Sequence, residues 1–309
     1  MILDFSKKVY ALAPLAGWTD LPFRETVKKF GADLTVSEMI SSNALVYNAK
    51  RTKKMIEKSP LENPFSVQLS GSSADIIRQA VEILNEEEGI DIIDLNAGCP
   101  APKIVNHGSG SSLLKDLNLL QSIIETIKKT SNKPMTSVKI RLGFDQKIGP
   151  RIARGVEDAG ADFLVVHGRT KVGAYKAVVD YDQIAEIKAA VSIPVIANGD
   201  ITSYEIAHSV MEHTKADGVM IGRGSMGNPW IFRQLKEGKA SLSHEEKRDV
   251  IMEHFDNMIK FHGEYGAVLF RKHIHNYSKG YDEASAFRFE INQIDDAAQA
   301  RKMIEAFFK

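Results

Sequence analysis

Eight short apolar runs, most of them ending in polar or glycine residues and followed by a helical pattern, recur along much of this chain. They are VYALAPLAG (9–17), LTVSEM (34–39), PFSVQLSG (64–71), DIIDLNAG (91–98), MTSVKIRLG (135–143), DFLVVHGR (162–169), IPVIANGD (193–200) and GVMIGRG (218–224). Between most of them apolar residues fall at i, i+3 and i+4, as in SADIIRQAVEILNEE (73–87), SSLLKDLNLLQSIIETIKK (111–129), GPRIARGVEDAG (149–160) and YDQIAEIKAAV (181–191). Strands alternating with helices make right-handed crossover units, and hence a parallel sheet. Eight units fit a (β/α)8 TIM barrel, which usually takes ~250 residues. A doubly wound open sheet is the competing architecture. It carries a glycine-rich turn after its first strand, and APLAGWTD (13–20) is not that fingerprint.

Chemistry-bearing residues gather at the C-terminal ends of these runs: Glu38, Gln68, Asn96, Cys99, Lys139, Arg141, His167, Arg169, Asn198, Asp200 and Arg223. In a barrel those ends share one face, where active sites are built. Each residue alone has a plain structural explanation; the whole set pointing at one mouth does not. After NPWIFRQLKEGKA (228–240) the pattern changes, and residues 241–309 hold no strand run. SHEEKRDVIMEHFDNMIKFHG (243–263) opens with Ser243 and Glu246 at capping-box spacing and ends in glycine. The organisation expected is therefore a barrel over residues 1–238 and an all-helical C-terminal domain over 239–309.

Cys99 is the only cysteine in the chain, which excludes an internal disulfide and any multi-cysteine metal cluster; no metal is expected. Forty basic side chains balance forty acidic ones, so global charge gives no pull toward nucleic acid, and an RNA partner would need a local basic patch. No charged-then-apolar leader opens the sequence and no apolar run nears the ~20 residues of a membrane span, so a cytoplasmic protein without membrane contact is expected, as a monomer.

The loops after strands seven and eight carry Asn198-Gly199-Asp200 and Gly222-Arg223-Gly224. In this architecture those loops commonly hold a phosphate, because free backbone N–H groups meet the anion there and glycine allows close approach. Asn-Gly could instead turn a hairpin, but ITSYEIAHSV (201–210) reads as a helix, not a returning strand. Lys139 and Arg141, two apart, point to one side of their strand, while Val138 and Ile140 point to the other. Two inward cations call for an anionic or acceptor-rich ligand, or for an ion pair with Glu38 or Asp94. Gln68 and Asn96 carry amides suited to the edge of a planar heterocycle, and His167 ends its strand beside them. Cys99 lies in a Gly-Cys-Pro turn beyond its strand, where either a nucleophile or a proton donor is chemically possible. An ordinary thiol is mostly protonated at neutral pH, which favours the donor.

At this point APLAGWTDLPFR (13–24), SEMISSNAL (37–45), VQLSGSS (67–73), IDLNAGCPAPKIV (93–105), VKIRLGF (138–144), VVHGRTKVGAY (165–175), IPVIANGDI (193–201) and VMIGRGSMGNPWIF (219–232), with FRKHIHNYSKG (270–280) in the helical end, resemble the tRNA-dihydrouridine synthase family, in its bacterial B-type form. The resemblance implies an FMN enzyme that reduces particular uridines in the tRNA D-loop to 5,6-dihydrouridine, with NADPH as electron donor and FMN tightly bound. It implies that Pro14, Leu15 and Ala16 lie against the flavin, that Gln68, Lys139 and His167 border its ring, and that Asn198, Gly199, Asp200, Gly222 and Arg223 hold its phosphate. Cys99 would protonate uracil C5 after hydride reaches C6. Asn96 and Arg141 would hold the uracil. Lys103 and Arg169 on the barrel loops, with Arg271, Lys272 and His273 in a carboxylate-free basic stripe, would contact the tRNA. Leu15 replaces a common methionine at little cost in volume. Asn106-His107 makes one loop less basic than is usual there. The competing functions are a flavin oxidoreductase acting on a free pyrimidine or other small conjugated substrate, and a non-catalytic RNA-binding relative.

Overall fold

The structure is a computed structural model that describes residues 2–47, 49–174, 176–238 and 242–309, with only the backbone of residues 49–51. Among the described residues nine strands form one parallel sheet: β1 (Val9–Leu12), β2 (Thr35–Val36), β3 (Ile40–Ser41), β4 (Phe65–Ser70), β5 (Ile92–Ala97), β6 (Met135–Arg141), β7 (Phe163–His167), β8 (Val195–Asn198) and β9 (Gly218–Ile221). Their order is β1-β9-β8-β7-β6-β5-β4-β2, with β3 also paired to β4. A bridge between Ala11 and Leu34, and hydrogen bonds from Leu12 N to Leu34 O (2.9 Å) and Asp33 N to Tyr10 O (2.8 Å), close the ring into a barrel. The helices α1 (Leu21–Lys29), α2 (Ser42–Tyr47), α3 (Ala49–Ile56), α4 (Ala74–Asn85), α5 (Pro102–Val105), α6 (Leu117–Thr130), α7 (Gly149–Asp158), α8 (Tyr181–Ala190), α9 (Tyr204–Thr214) and α10 (Ile231–Glu237) belong to the barrel segment. Several start where a side chain accepts an otherwise unpaired N–H: Asp20 from Phe23, Ser73 from Ile76, Asp116 from Leu119 and Ser203 from Ile206.

Two expected strands end early, each for a local reason. Residues 13–17 leave the sheet because Pro14 has no N–H for the ladder, and Ala13 makes the last bond, to Ile221 O at 2.8 Å. The run 34–39 keeps only β2, because Ser37 Oγ takes the Gln68 N–H at 3.1 Å, and β3 follows beyond its end.

Side-chain parity sorts the barrel into layers. Leu95, Val138, Ile140, Leu164, Val166 and Ala197 pack outward against the helices. Facing the lumen, Val36, Ile92, Phe163, Val165, Ile196 and Met220 form an apolar floor, and Phe5 plugs its base with its ring 5.5 Å from that of Phe163. One step further along the strands the lumen turns polar, with Gln68, Asp94, Asn96, Ser137, Lys139, Arg141, His167 and Asn198. Parallel strands thus deliver the whole polar set to one end.

One polar device lies away from that end. Arg24 and Glu62, 1% and 0% exposed, form an ion pair at 2.7 Å. Arg24 also donates to Thr19 O (3.1 Å) and Glu57 O (2.6 Å). Glu62 accepts from Thr35 Oγ1 (2.7 Å) and Ser59 N (2.9 Å). The pair pins the segment before β4 to α1 and β2.

The helices α11 (His244–His262), α12 (Tyr265–Tyr277), α13 (Ala284–Ile291) and α14 (Ala297–Phe307) follow. Ser243 and Glu246 form a capping box at the start of α11. Phe255, Phe270, Ile274, Phe287, Ile291 and Ile304 build a second apolar cluster, which Trp230 joins from the barrel side. This cluster meets the barrel through α1, where the Phe23 ring lies 5.5 Å from His254 and 5.3 Å from His273. The division expected after Gly238 borders residues 239–241, which lie outside the described residues. No helix among the described residues is long and apolar enough to cross a membrane.

Candidate active site

A cavity of about 450 Å³ opens over the C-terminal ends of the strands, inside the ~300–1,000 Å³ range of small-molecule sites. Among the residues singled out from sequence, Pro14, Leu15, Ala16, Gln68, Asn96, Cys99, Lys139, Arg141, His167, Asn198, Gly199, Asp200, Gly222 and Arg223 line it. Met39 and Thr202 line it as well; neither stood out in the sequence, because a Met and a Thr beside a strand end carry no special signal.

The floor is a hydrogen-bonded chain. Gln68 Nε2 donates to Asp94 Oδ2 (2.6 Å), Ser137 Oγ donates to Asp94 Oδ1 (2.5 Å), and Asn96 Nδ2 donates to Gln68 Oε1 (2.7 Å). Asp94 therefore sets which way the Gln68 amide faces. Burial pushes the Asp94 carboxyl up to about 6, against those two hydrogen bonds and the Lys139 charge. Its signal was present in DIIDLNAG, where Asp94 shares the inward parity of Asn96. The Asn96 carbonyl oxygen accepts from the N–H groups of Gly98 (3.2 Å) and Cys99 (2.9 Å). That amide shapes the turn presenting the thiol, a role that pattern alone did not show. Ser111 N donates to Cys99 O (3.0 Å), so the turn is held on both sides, with its half-buried side chain at the mouth.

On the opposite wall, Lys139 Nζ donates to Asn198 Oδ1 (2.9 Å), and Asn198 Nδ2 donates to Met220 O (2.7 Å). Arg141 donates from Nε to Gly98 O (2.7 Å) and from Nη1 to Thr170 O (3.1 Å). Lys139 also feels the charge of Asp94, one of the two carboxylates of the plain alternative. Burial, then the neighbouring Arg141, lowers the Lys139 ammonium to about 7. Burial and the surrounding cations Lys139, Arg141, Arg169 and Arg223 hold His167 far below its ordinary value, so at neutral pH it is an uncharged donor and acceptor.

Lys139 gives a pH prediction with a definite sign. A lysine whose folded pKa is depressed destabilises the native state where it is charged, and that penalty fades as pH rises from about 7 toward the ordinary value. In the cofactor-free protein, Lys139→Met is therefore expected to melt above the parent at pH 6, with the gap closing by about pH 10. Parallel melting curves across that range would show that Lys139 is not titrating as the geometry demands.

At the far end Asp200, at positive φ, accepts from both Arg169 and Arg223 beside Gly199 and Gly222. Two guanidiniums against one carboxylate leave net positive charge, and Gly224 admits no side chain, since a Cβ there would sit 2.4 Å from Ile201 O. This end suits a phosphate.

Three residues expected at the RNA surface are placed otherwise. Arg169 is 4% exposed and turned inward to Asp200. His273 is 0% exposed, because its inward helical parity sets it among Trp18, Phe23, His254 and Phe270. Lys272 is half-buried and donates to Gly17 O. Arg271 donates to Ile294 O (2.9 Å) and pairs with Asp295, while Lys103 on α5 is exposed. Among the described residues no group of three or more His, Cys, Asp or Glu is placed to hold a metal ion.

Comparison with known proteins adds the lineage. The family model described as dihydrouridine synthase matches residues 11–309. A probable tRNA-dihydrouridine synthase of Helicobacter pylori is 50% identical over 308 residues, covering 99% of this chain and 94% of that protein. A tRNA-dihydrouridine synthase B of Shewanella oneidensis is 40% identical over 311 residues, covering 98% and 96%. Among solved structures, a morphinone reductase mutant in complex with tetrahydroNAD matches with TM-score 0.58 at 10% identity, over 75% of this chain and 87% of that one. A variant of NCR from Zymomonas mobilis matches with TM-score 0.55 at 18% identity, over 76% and 88%. At such identities these two speak for the barrel fold alone.

Proposed function

Because this chain belongs to the dihydrouridine synthase family, we propose that it reduces particular uridines of the tRNA D-loop to 5,6-dihydrouridine, with FMN as resident cofactor and NADPH as electron donor, acting as a cytoplasmic monomer. The observation that carries the reading is the chain's sole thiol at the rim of a cavity that is cationic at one end and amide-lined on its floor.

The residues fit the cofactor. The Arg169–Asp200–Arg223 cluster with Gly199 and Gly222 suits a ribityl phosphate. The Gln68 amide, oriented by Asp94, and the Lys139 ammonium suit the polar edge of a planar ring, against the wall of Pro14, Leu15 and Ala16. Bound and reduced, FMN would supply a hydride to uracil C6. Cys99 delivers a proton to C5 as general acid. Lys139 would offer positive charge to the reduced ring, which is how a protein tunes a flavin. Asn96 keeps the thiol turn in place, and Arg141 offers donors to the extruded base. A base buried in a duplex or stack cannot reach this cavity, so the target uridine must leave its stack. Exposed Lys103 and the stripe of Arg271, His275 and Lys279 supply phosphate contacts.

The test compares unmodified tRNA transcript with free uridine monophosphate, each incubated with the protein, FMN and NADPH, with dihydrouridine quantified by mass spectrometry. Product is expected on tRNA and mapped to the D-loop. Equal efficiency on the mononucleotide would assign the chain to small-molecule reduction instead.

A further inference from the structure

The wall of the cavity made by Pro14, Leu15 and Ala16 belongs to the loop that runs from β1 to α1, and this loop is gripped from the helical region at three successive points. Lys272 of α12 donates to Gly17 O while Glu38, from the barrel, accepts the Gly17 N–H. The two peptide units that flank the Gly17 Cα are thus held, one by a carboxylate and the other by an ammonium, the stronger class of hydrogen bond. The Trp18 ring stands edge-on to His273, centroids 5.1 Å apart, with Lys272 Nζ 5.8 Å from its centre. Asp20, which caps α1, meets His262 Nε2 of α11 at 2.8 Å. Gly17 lies at positive φ with nothing near its Cβ position, so the loop lacks packing of its own at that point. Residues 15–19 make a turn of their own, with Trp18 N and Thr19 N donating to Leu15 O and Leu15 N to Thr19 Oγ1, so the groups that hold Gly17 set how that turn sits over the cavity.

We propose that Lys272 is a positioning residue for the cofactor cavity: by fixing the Gly17 peptide together with Glu38 it sets the wall against which the cofactor lies, so the helical region forms part of the flavin site as well as an RNA surface. This rests on the flavin reading above. It also explains why Lys272, a basic residue of the stripe, reaches toward the barrel.

The test is FMN titration of the full-length, cofactor-free chain, followed by flavin fluorescence and visible absorbance. Saturable binding by the parent is expected; a parent that binds no FMN overturns the flavin reading, and this inference with it. Lys272→Met keeps the apolar stem and removes the charge. It is expected to weaken FMN binding roughly tenfold, near the worth of one hydrogen bond to a charged group, and to shift the bound-flavin spectrum. Lys272→Arg is expected to recover most of the affinity. Arg301→Ala breaks an exposed ion pair with Asp256 in the same helical region and serves as the control for general loosening; its FMN affinity should match the parent. Parent binding with Lys272→Met equal to it, or Arg301→Ala as weak as Lys272→Met, would overturn the positioning role while leaving the flavin reading intact.

Discussion

Cys99→Ala is expected to bind FMN and accept electrons from NADPH like the parent, while reducing tRNA about 10²–10⁴-fold more slowly, the usual worth of a positioned acid. The expectation is specific because the turn does not depend on the sulfur. Asn96 Oδ1 holds the backbone N–H groups of Gly98 and Cys99, and Ser111 N holds the Cys99 carbonyl. Alanine keeps all three bonds and removes only the thiol that carries the proton. Stopped-flow flavin reduction and single-turnover tRNA reduction separate the two half-reactions. A variant that loses both has lost its cofactor site, and one that loses neither takes Cys99 out of the mechanism.

Glu62→Ala is expected to lower stability by ~3–5 kcal/mol, the cost of leaving a buried charge without its partner. Arg24 sits 1% exposed, with its charge compensated by Glu62, and alanine also strips acceptors from Thr35 Oγ1 and Ser59 N. Against a typical total of ~5–15 kcal/mol, that loss moves the urea midpoint far down without changing the chemistry of the cavity. The double variant Arg24→Met with Glu62→Leu should regain part of it, since no charge is then stranded, though the Thr19 and Glu57 carbonyls stay without their donor. Urea unfolding followed by circular dichroism measures both. A midpoint unmoved in Glu62→Ala would mean that the buried pair contributes nothing net.

Much of the site could be read from the chain because a barrel converts local pattern into position. The period-two alternation in SVKIRLG already puts Lys139 and Arg141 on the lumen side and Val138 and Ile140 under the helices, where the structure has them. Parallel strands end at one mouth, so a residue's place along its own strand was enough to bring Gln68, Asn96, His167 and Asn198 together without knowledge of the contacts between them. Capping chemistry was equally local, and the box of Ser243 and Glu246 forms as its spacing implies.

What the sequence could not decide is what meets across distance. Arg169 looked like a surface cation and is turned in to Asp200, 31 residues away. His273 and Lys272 looked like members of a solvent-facing stripe. Yet α12 lies against α1, which buries the imidazole and carries the ammonium to a glycine 255 positions earlier. Asn96 read as a ligand group and Asp94 as an ion-pair partner, while their hydrogen bonds make them braces for the thiol turn and for Gln68. The physical reason is common to all of these. Periodicity, capping and turn propensity act through neighbours in the chain and leave a trace in every window, whereas the partner that satisfies a buried charge or amide is chosen by how the elements pack.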